Sequence, residues 1–182
     1  MKTDLKTKTI DLITSKPKQK VFFYINAFRK MKRLVKYYDK EVRWRGVAYR
    51  KGDNAFLIKD ILVYPQQITS RSVTVDPVKY GEWFMNLPDE EYEHLRFQGH
   101  SHVNMPSFPS GIDQQQMNDA YETLRGDDFF IHIILNKENK YWIQIYDKKT
   151  NTYYKNKDIE VIIEHPTILS FLDNNKEKIE GV

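Results

Sequence analysis

Residues 99–113, GHSHVNMPSFPSGID, contain four side chains whose types and spacing could do chemistry: His100, His102, Ser110 and Asp113. The chain has no cysteine, so a metal site in it must use nitrogen and oxygen ligands. A catalytic zinc typically has three protein ligands and a fourth position open to water. Where the predicted strand breaks into a loop, His100 and His102 can converge on one point, and Asp113 is the nearest carboxylate downstream. We therefore predict a zinc site formed by these two histidines and this aspartate.

Ser110 and Asp113 also fit a purely structural pattern. A serine followed three residues later by an acidic residue is typical of a helix-capping box, in which each side chain bonds to the other residue's backbone. The two interpretations are compatible, because Ser110 can cap the helix through one lone pair while its hydroxyl proton points toward a metal site. The two histidines, which are separated by one residue, favour the metal interpretation.

The spacing H-x-H, seven residues, S-x-x-D over residues 100–113 resembles the JAMM signature of the JAB/MPN metalloproteases. This resemblance implies that the two histidines and Asp113 hold a zinc ion and that Ser110 assists the oxyanion. It also implies a glutamate on an upstream strand as general acid/base. Glu41, the first glutamate in the chain, lies just after the first predicted helix, where the family places that residue.

Two positions depart from the usual pattern of the family. Many members have glycine three residues after the glutamate, whereas here Gly46 lies five residues after Glu41. Many members also have proline directly after the second histidine, where this chain has Val103. We expect Val103 to change the stiffness of the loop and not the ligation of the metal.

The resemblance implies metal-assisted hydrolysis of an amide bond. Zinc lowers the pKa of a bound water toward 7, and Glu41 would carry the proton to the leaving amine. Many JAMM enzymes cut isopeptide bonds at the C-terminus of ubiquitin or a ubiquitin-like protein, so the expected partner is such a conjugate or precursor. Two alternatives stay open: a catalytically silent MPN-type binding or scaffold module, and a phage or mobile-element processing protease with an unrelated protein substrate.

Composition and length exclude other classes. Metal-dependent hydrolases built on (β/α) barrels need about 200 or more residues, and this chain has 182. The apolar pieces of the N-terminal segment are too short for a signal peptide, so we expect a cytoplasmic protein. No stretch approaches the roughly 20 apolar residues of a membrane span, so no membrane partner is expected. The net charge is only +4, and much of the excess lies in the first twenty residues, so nucleic-acid binding is not expected. The sequence leaves the oligomeric state open.

The elements alternate between strand and helix, which predicts an α/β protein with one central sheet. We expect residues 1–18 to be a mobile basic segment and residues 19–182 to form a single JAB/MPN-type domain. The resemblance implies its cytidine-deaminase-like fold, a mixed sheet with helices packed on both faces. Predicted strands cover residues 21–25, 42–50, 55–65, 68–75, 96–102, 129–135, 141–147 and 159–163.

Four helices are predicted before the C-terminal one. One carries Phe28 to Val35, one runs from Pro77 to Leu87, a short one includes residues 92–95, and one runs from Ser110 through Leu124 to a closing glycine, Gly126. A further helix is expected after Pro166. Residues 68–76 could accept an extended substrate tail as an added strand. We assign no role to His94, His132 or His165, and we expect Trp44 to pack in the core, although it could wall the site.

Overall fold

The computed structural model describes residues 18–69, 73–126 and 128–167. Its elements are, in chain order, β1 (Gln19–Tyr24), α1 (Ile25–Tyr37), β2 (Arg43–Gly52), β3 (Ala55–Leu62), β4 (Gln67–Ile68), β5 (Val73–Thr74), α2 (Pro77–Met85), α3 (Asp89–Glu93), β6 (Phe97–Ser101), α4 (Gly111–Glu122), β7 (Phe129–Leu135), β8 (Tyr141–Asp147), β9 (Thr152–Lys155) and β10 (Ile159–Glu164). Except for their boundary residues, the predicted N-terminal segment 1–18 and the helix after Pro166 lie outside the described residues.

Eight of the strands form one mixed sheet in the order β10-β1-β3-β2-β6-β7-β8-β9. β1 pairs in parallel with β10 and β3, and β6 pairs in parallel with β7, while the other neighbours are antiparallel. The prediction of an α/β protein with a mixed central sheet is confirmed. Among the described residues, no helix combines the length and apolarity needed to cross a bilayer.

The helices cover both faces of this sheet, and β7 shows the division. Successive side chains of a strand point to opposite faces. Ile131 and Ile133 belong to the core cluster that contains Met31 of α1, whereas Phe130 and Ile134 pack with Met117 and Tyr121 of α4. The sheet therefore lies between α1 and α4. We call the side occupied by α4 the α4 face, since the candidate site is built there.

Three predicted elements differ from the structure. Residues 68–75 do not form one strand: β4 and β5 pair with each other as a two-stranded sheet separate from the main one. Helix α4 ends at Glu122, because an N–H of Leu124 bonds to the carbonyl of Tyr121 instead of continuing the helix. Gly126 has a φ of 53° in the loop that follows. The short helix predicted over residues 92–95 is α3 (Asp89–Glu93), so Leu95 lies outside it. In addition, β9 was not predicted.

Gly99 of β6 allows the strand that carries His100 to lie close to its neighbours. A Cβ added at Gly99 would come within 2.6 Å of both the Ile133 side chain and Nε1 of Trp44. Trp44 is 1% exposed and belongs to the core cluster on the α1 side, which confirms the core interpretation of this tryptophan. The glycine is thus required by packing and not by a special backbone angle.

We predict that Gly99→Ala destabilises the protein by about 1–3 kcal/mol, the usual cost of overpacking a close-packed core. Gly81→Ala is the matched control. Gly81 lies within α2 with no atom within 4 Å of an added Cβ, so alanine there should be neutral or slightly stabilising. Denaturant unfolding of both variants measures the difference. Equal stabilities would show that the sheet absorbs a methyl group at residue 99 without strain.

Candidate metal centre

His100 and His102 reach the α4 face from the end of β6. In the sheet, β6 lies between β2 and β7, with His100 opposite Arg43 on one side and Ile134 on the other. Residues two apart on a strand point to the same face, so the two imidazoles lie side by side. His102 follows the last residue of the strand, where the backbone leaves the sheet. Both side chains are buried, with residue exposures of 3% and 7%.

Asp113 is brought to the same point by the first turn of α4. Ser110 is the N-cap residue: its Oγ accepts the backbone N–H of Asp113 at 3.2 Å, and its own N–H donates to Oδ2 of Asp113 at 2.8 Å. The predicted capping box is confirmed. Met117 and Tyr121 pack this helix against β7, and this packing fixes the position of the first helical turn, which carries Asp113. Asp113 is 4% exposed.

The three side chains converge as a set. The Nε2 atoms of His100 and His102 are 3.1 Å apart, and they lie 3.3 and 3.7 Å from the nearest carboxylate oxygens of Asp113. One ligand atom from each residue falls within 4.8 Å of the others. Two imidazole nitrogens and one carboxylate oxygen are a donor set that suits a catalytic zinc. The structure thus brings together the three predicted ligands.

The loop after His102 fixes which of its nitrogens can bind a metal. Nδ1 of His102 lies 2.7 Å from the carbonyl oxygen of Pro106, to which it donates its hydrogen. The unprotonated nitrogen is then Nε2, which faces His100 and Asp113. Ligating histidines commonly have such a partner on their second nitrogen. Both the residue types and the orientation of the His102 ring therefore fit a metal site.

Val103 gives this loop a course that proline could not follow. Its φ is 44°, in the left-handed region that is costly for a β-branched residue, whereas the ring of proline fixes φ near −65°. The strained residue is held on both sides, since the carbonyl of Val103 accepts the N–H of Lys137 and the carbonyl of His102 accepts the N–H of Met105. Proline at this position would therefore require a different backbone conformation directly after His102.

The electrostatics of the site favour a charged aspartate. Burial alone would raise the pKa of Asp113, but the hydrogen bonds with His100, His102 and Ser110 outweigh it and hold that pKa far below its usual range. The hydrogen bond to the carboxylate of Asp113 raises the pKa of His102, more than burial lowers it, and the negative charge of Glu41 acts in the same direction. The site thus keeps an anionic carboxylate oxygen beside the two imidazoles.

Glu41 lies beside these residues without belonging to the ligand set. The β2–β6 register that pairs Arg43 with His100 places Glu41 opposite His102 when it is continued by two residues. Two bonds hold the strands together there: the N–H of Ser101 donates to the carbonyl of Val42, and the N–H of Val42 donates to Oγ of Ser101. The backbone of Glu41 therefore lies at the edge of the site, and its carboxylate is close enough for its charge to raise the pKa of His102.

Arg43 engages the Glu41 carboxylate. Its Nε and Nη2 both lie 3.3 Å from Oε1 of Glu41, and its Nη1 donates to Oε1 of Gln116 on α4 at 2.9 Å. The glutamate side chain keeps 23% of its surface exposed. The sequence analysis did not identify Arg43, although the alternation of VRWRG places it on the same face as Glu41. Arg43 of β2 thus orients the Glu41 carboxylate and is itself held by Gln116 of α4.

His132 is a second residue that the sequence analysis set aside. It is 3% exposed on β7, and its ring centroid lies 5.3 Å from that of His100. Nε2 of Gln98 donates to its Nδ1 at 2.9 Å, and burial lowers the pKa of His132 well below its usual value, so the ring is neutral. Its position inside the apolar run FFIHIIL is the signal that could have marked it. The ring packs beside a ligand without joining the ligand set.

We predict that Ser110→Ala weakens both the helix and the metal site. The Ser110 hydroxyl also donates to Oδ2 of Asp113 at 2.7 Å, so its loss removes a cap and a bond that orients a ligand. The expected cost is about 0.5–2 kcal/mol of stability and roughly 10–100-fold in zinc affinity. Thr123→Ala, which removes an exposed hydroxyl at the other end of α4, should leave zinc affinity unchanged. Equal zinc affinities in both variants would contradict the orienting role.

Comparison with known proteins adds no family assignment. The sequence matches no protein-family model, and no curated protein has significant similarity to it. The functional argument for this chain therefore rests on the spacing of its site residues and on the geometry that the fold gives them.

Proposed function

We propose that this chain is a zinc-dependent metalloprotease or isopeptidase of the JAMM type, acting at the C-terminus of ubiquitin or a ubiquitin-like protein. One observation carries the proposal: the ligand atoms of His100, His102 and Asp113 converge within 4.8 Å at the end of β6. A second carboxylate, that of Glu41, is close enough for its charge to raise the pKa of His102, which supports a role for it beside the ligand set. These two features support a three-ligand metal site with a separate acid/base residue beside it.

When bound to these three residues, zinc would supply Lewis acidity, which polarises a carbonyl and lowers the pKa of water toward 7. Glu41 is the residue that accepts a proton and returns it to the leaving amine, a task that requires a carboxylate outside the ligand set. Arg43 keeps that carboxylate in place through its contacts with Glu41 and Gln116. His102 binds through Nε2, because its Nδ1 is bonded to Pro106.

A groove of about 1070 Å³ on the α4 face supports a polypeptide substrate. Its lining includes Arg43 and Arg45 of β2, and Gln116 and Ala120 of α4, so it begins beside the candidate site and runs along the helix. Tyr80 of α2 contributes to its opposite wall and accepts a hydrogen bond from Nε of Arg45. The lining does not include His100, His102 or Asp113, so an extended chain in this groove would have to continue past Arg43 and Gln116 to reach them.

One observation favours a second function, a silent binding or scaffold module. Both side chains proposed for catalysis already have partners in the structure. Glu41 is paired with Arg43, and the Ser110 hydroxyl donates to Asp113 instead of pointing toward a substrate. A module of this kind would bind zinc and a protein partner without turnover. The role of Ser110 at the oxyanion stays a prediction.

Cleavage assays combined with metal analysis separate these functions. The zinc-loaded chain is incubated with linear fusions and lysine-linked conjugates of ubiquitin-like proteins, before and after chelation, and zinc is then restored. We expect cleavage after the C-terminal residue of the ubiquitin-like protein, lost with chelation and regained with zinc. Stoichiometric zinc without any cleavage would favour the silent module. Iron in place of zinc would contradict the proposal, since two histidines and a carboxylate also suit Fe(II) oxygenases.

A further inference from the structure

The outer face of α1 concentrates positive charge on the side of the sheet away from the candidate metal centre. The helix has five basic residues and no acidic one: Arg29, Lys30, Lys32, Arg33 and Lys36. Its charge of +5 exceeds the +4 of the whole chain. All five are exposed, while Ala27, Met31 and Val35 pack inward. Folding thus creates a basic face that the sequence analysis did not anticipate.

Four of these cations form one stripe. At 100° per residue, Arg29, Lys32, Arg33 and Lys36 fall within an arc of about 100° over a rise of roughly 10 Å. Lys30 lies outside the stripe and is paired with Asp60 at 2.6 Å. Among the described residues, no carboxylate forms an ion pair with any of the four stripe residues. Lys32 Nζ lies 5.7 Å from the centroid of the Phe28 ring, and within the described part of the chain all four charges are exposed and open to an anionic partner.

Exposed aromatic rings adjoin the end of this stripe. Tyr37 is 79% exposed and Tyr38 is 37% exposed, with their ring centroids 5.1 Å apart. Both line a groove of about 920 Å³ beside Arg33 and Lys36, and the residues that line it include no acidic side chain. An exposed ring next to unpaired cations is the combination on which single-stranded nucleic acids bind, with phosphates on the cations and a base stacked on the ring.

We propose that the outer face of α1, with Tyr37 at its end, binds single-stranded nucleic acid. The long, flexible side chains of the stripe extend its reach beyond the helix surface, so its four cations can contact about three phosphates of one extended strand. A membrane surface fits less well, because a membrane-binding helix inserts its apolar face, and the apolar face of α1 is buried against the sheet. This binding is independent of the proposed hydrolysis and lies on the other side of the sheet.

The test uses fluorescence anisotropy of the full chain with a labelled single-stranded (dT)20 oligonucleotide. The parent should bind with a Kd of about 1–100 µM at physiological salt, more tightly as salt is lowered. The triple variant Arg29→Gln, Arg33→Gln, Lys36→Gln should reduce the slope of log K against log salt by about 2, at about 0.7 per phosphate contact. The control Lys79→Gln, Lys140→Gln, Lys157→Gln makes the same change of net charge elsewhere and should bind like the parent.

Tyr37 provides an independent variant that does not alter charge. Tyr37→Ala should weaken binding about 5-fold or more, as expected for loss of one stacked base, while Tyr37→Phe should retain parental affinity. Circular dichroism melts confirm that each variant folds. The proposal is overturned if the parent does not bind (dT)20 at low salt, or if the triple variant binds as tightly as the control. Binding to anionic phosphatidylserine vesicles without binding to (dT)20 would assign the face to a membrane surface instead.

Discussion

His102→Ala is expected to abolish stoichiometric zinc binding. The side chain provides one of the three candidate ligands found among the described residues, and Nε2 is its available nitrogen, because Nδ1 is hydrogen-bonded to the carbonyl of Pro106. With alanine, one histidine and one carboxylate remain, too few for the three-ligand set of a catalytic zinc site. Elemental analysis of purified, zinc-equilibrated protein should give about one zinc per parent chain and almost none in the variant.

His165→Ala is the matched control for this prediction. His165 is exposed just after β10, far along the sheet from β6, and its loss should leave the zinc content at the parental level. Thermal melts of both variants in chelator establish that the comparison concerns folded protein. A His102→Ala chain as zinc-loaded as the parent would show that the metal is held by other residues.

Glu41→Gln is expected to keep the zinc and lose the hydrolysis. Glutamine preserves the size of the side chain and its hydrogen-bonding capacity, but it cannot accept the proton that a general base must take up. Removing general acid/base catalysis costs about 10²–10⁴ in rate, and we expect the upper end because the leaving amine needs that proton as well. Stability should change little, since the glutamate side chain is part-exposed and its ion pair with Arg43 is close to the surface.

The measurement is zinc content and turnover on one preparation, with a ubiquitin-like substrate that the parent cleaves. Glu160→Gln removes an exposed glutamate from β10 and should leave both quantities unchanged. Full activity in Glu41→Gln would assign the acid/base role to another carboxylate. Loss of zinc from Glu41→Gln would make Glu41 a ligand, which the present geometry does not indicate.

The sheet could be predicted where its strands are apolar throughout or alternate clearly. FFIHIIL and YWIQIYD are buried on both faces, and β7 and β8 occupy the predicted residues 129–135 and 141–147. The edge strand β9 was missed because TYYK has only four residues, two of them exposed and two only partly buried. Such a segment is too short and too polar to show the apolar alternation of a strand. Residues 68–75 were predicted as one strand because polar and apolar residues alternate there. This alternation does not show that β4 and β5 are two short strands that pair with each other.

The part of the candidate site that could be predicted is the part formed by residues close together in the sequence. His100, His102 and Asp113 lie within one strand, one loop and one helix turn, so the capping box and the strand end suffice to bring them together. Arg43 and His132 come from neighbouring strands, and only the register of β2 and β7 against β6 places them beside His100. Pairing between distant strands is not encoded in a local pattern, which is why these two contacts required the structure.

A crystal structure of the zinc-loaded chain, with an anomalous difference map at the zinc edge, tests the metal centre most directly. We predict a single strong peak on the α4 face, about 2.0–2.2 Å from Nε2 of His100, Nε2 of His102 and one carboxylate oxygen of Asp113. Glu41 should remain outside the coordination sphere, next to the open position. A zinc peak elsewhere, or zinc coordinated by Glu41 in place of Asp113, would contradict the assignment.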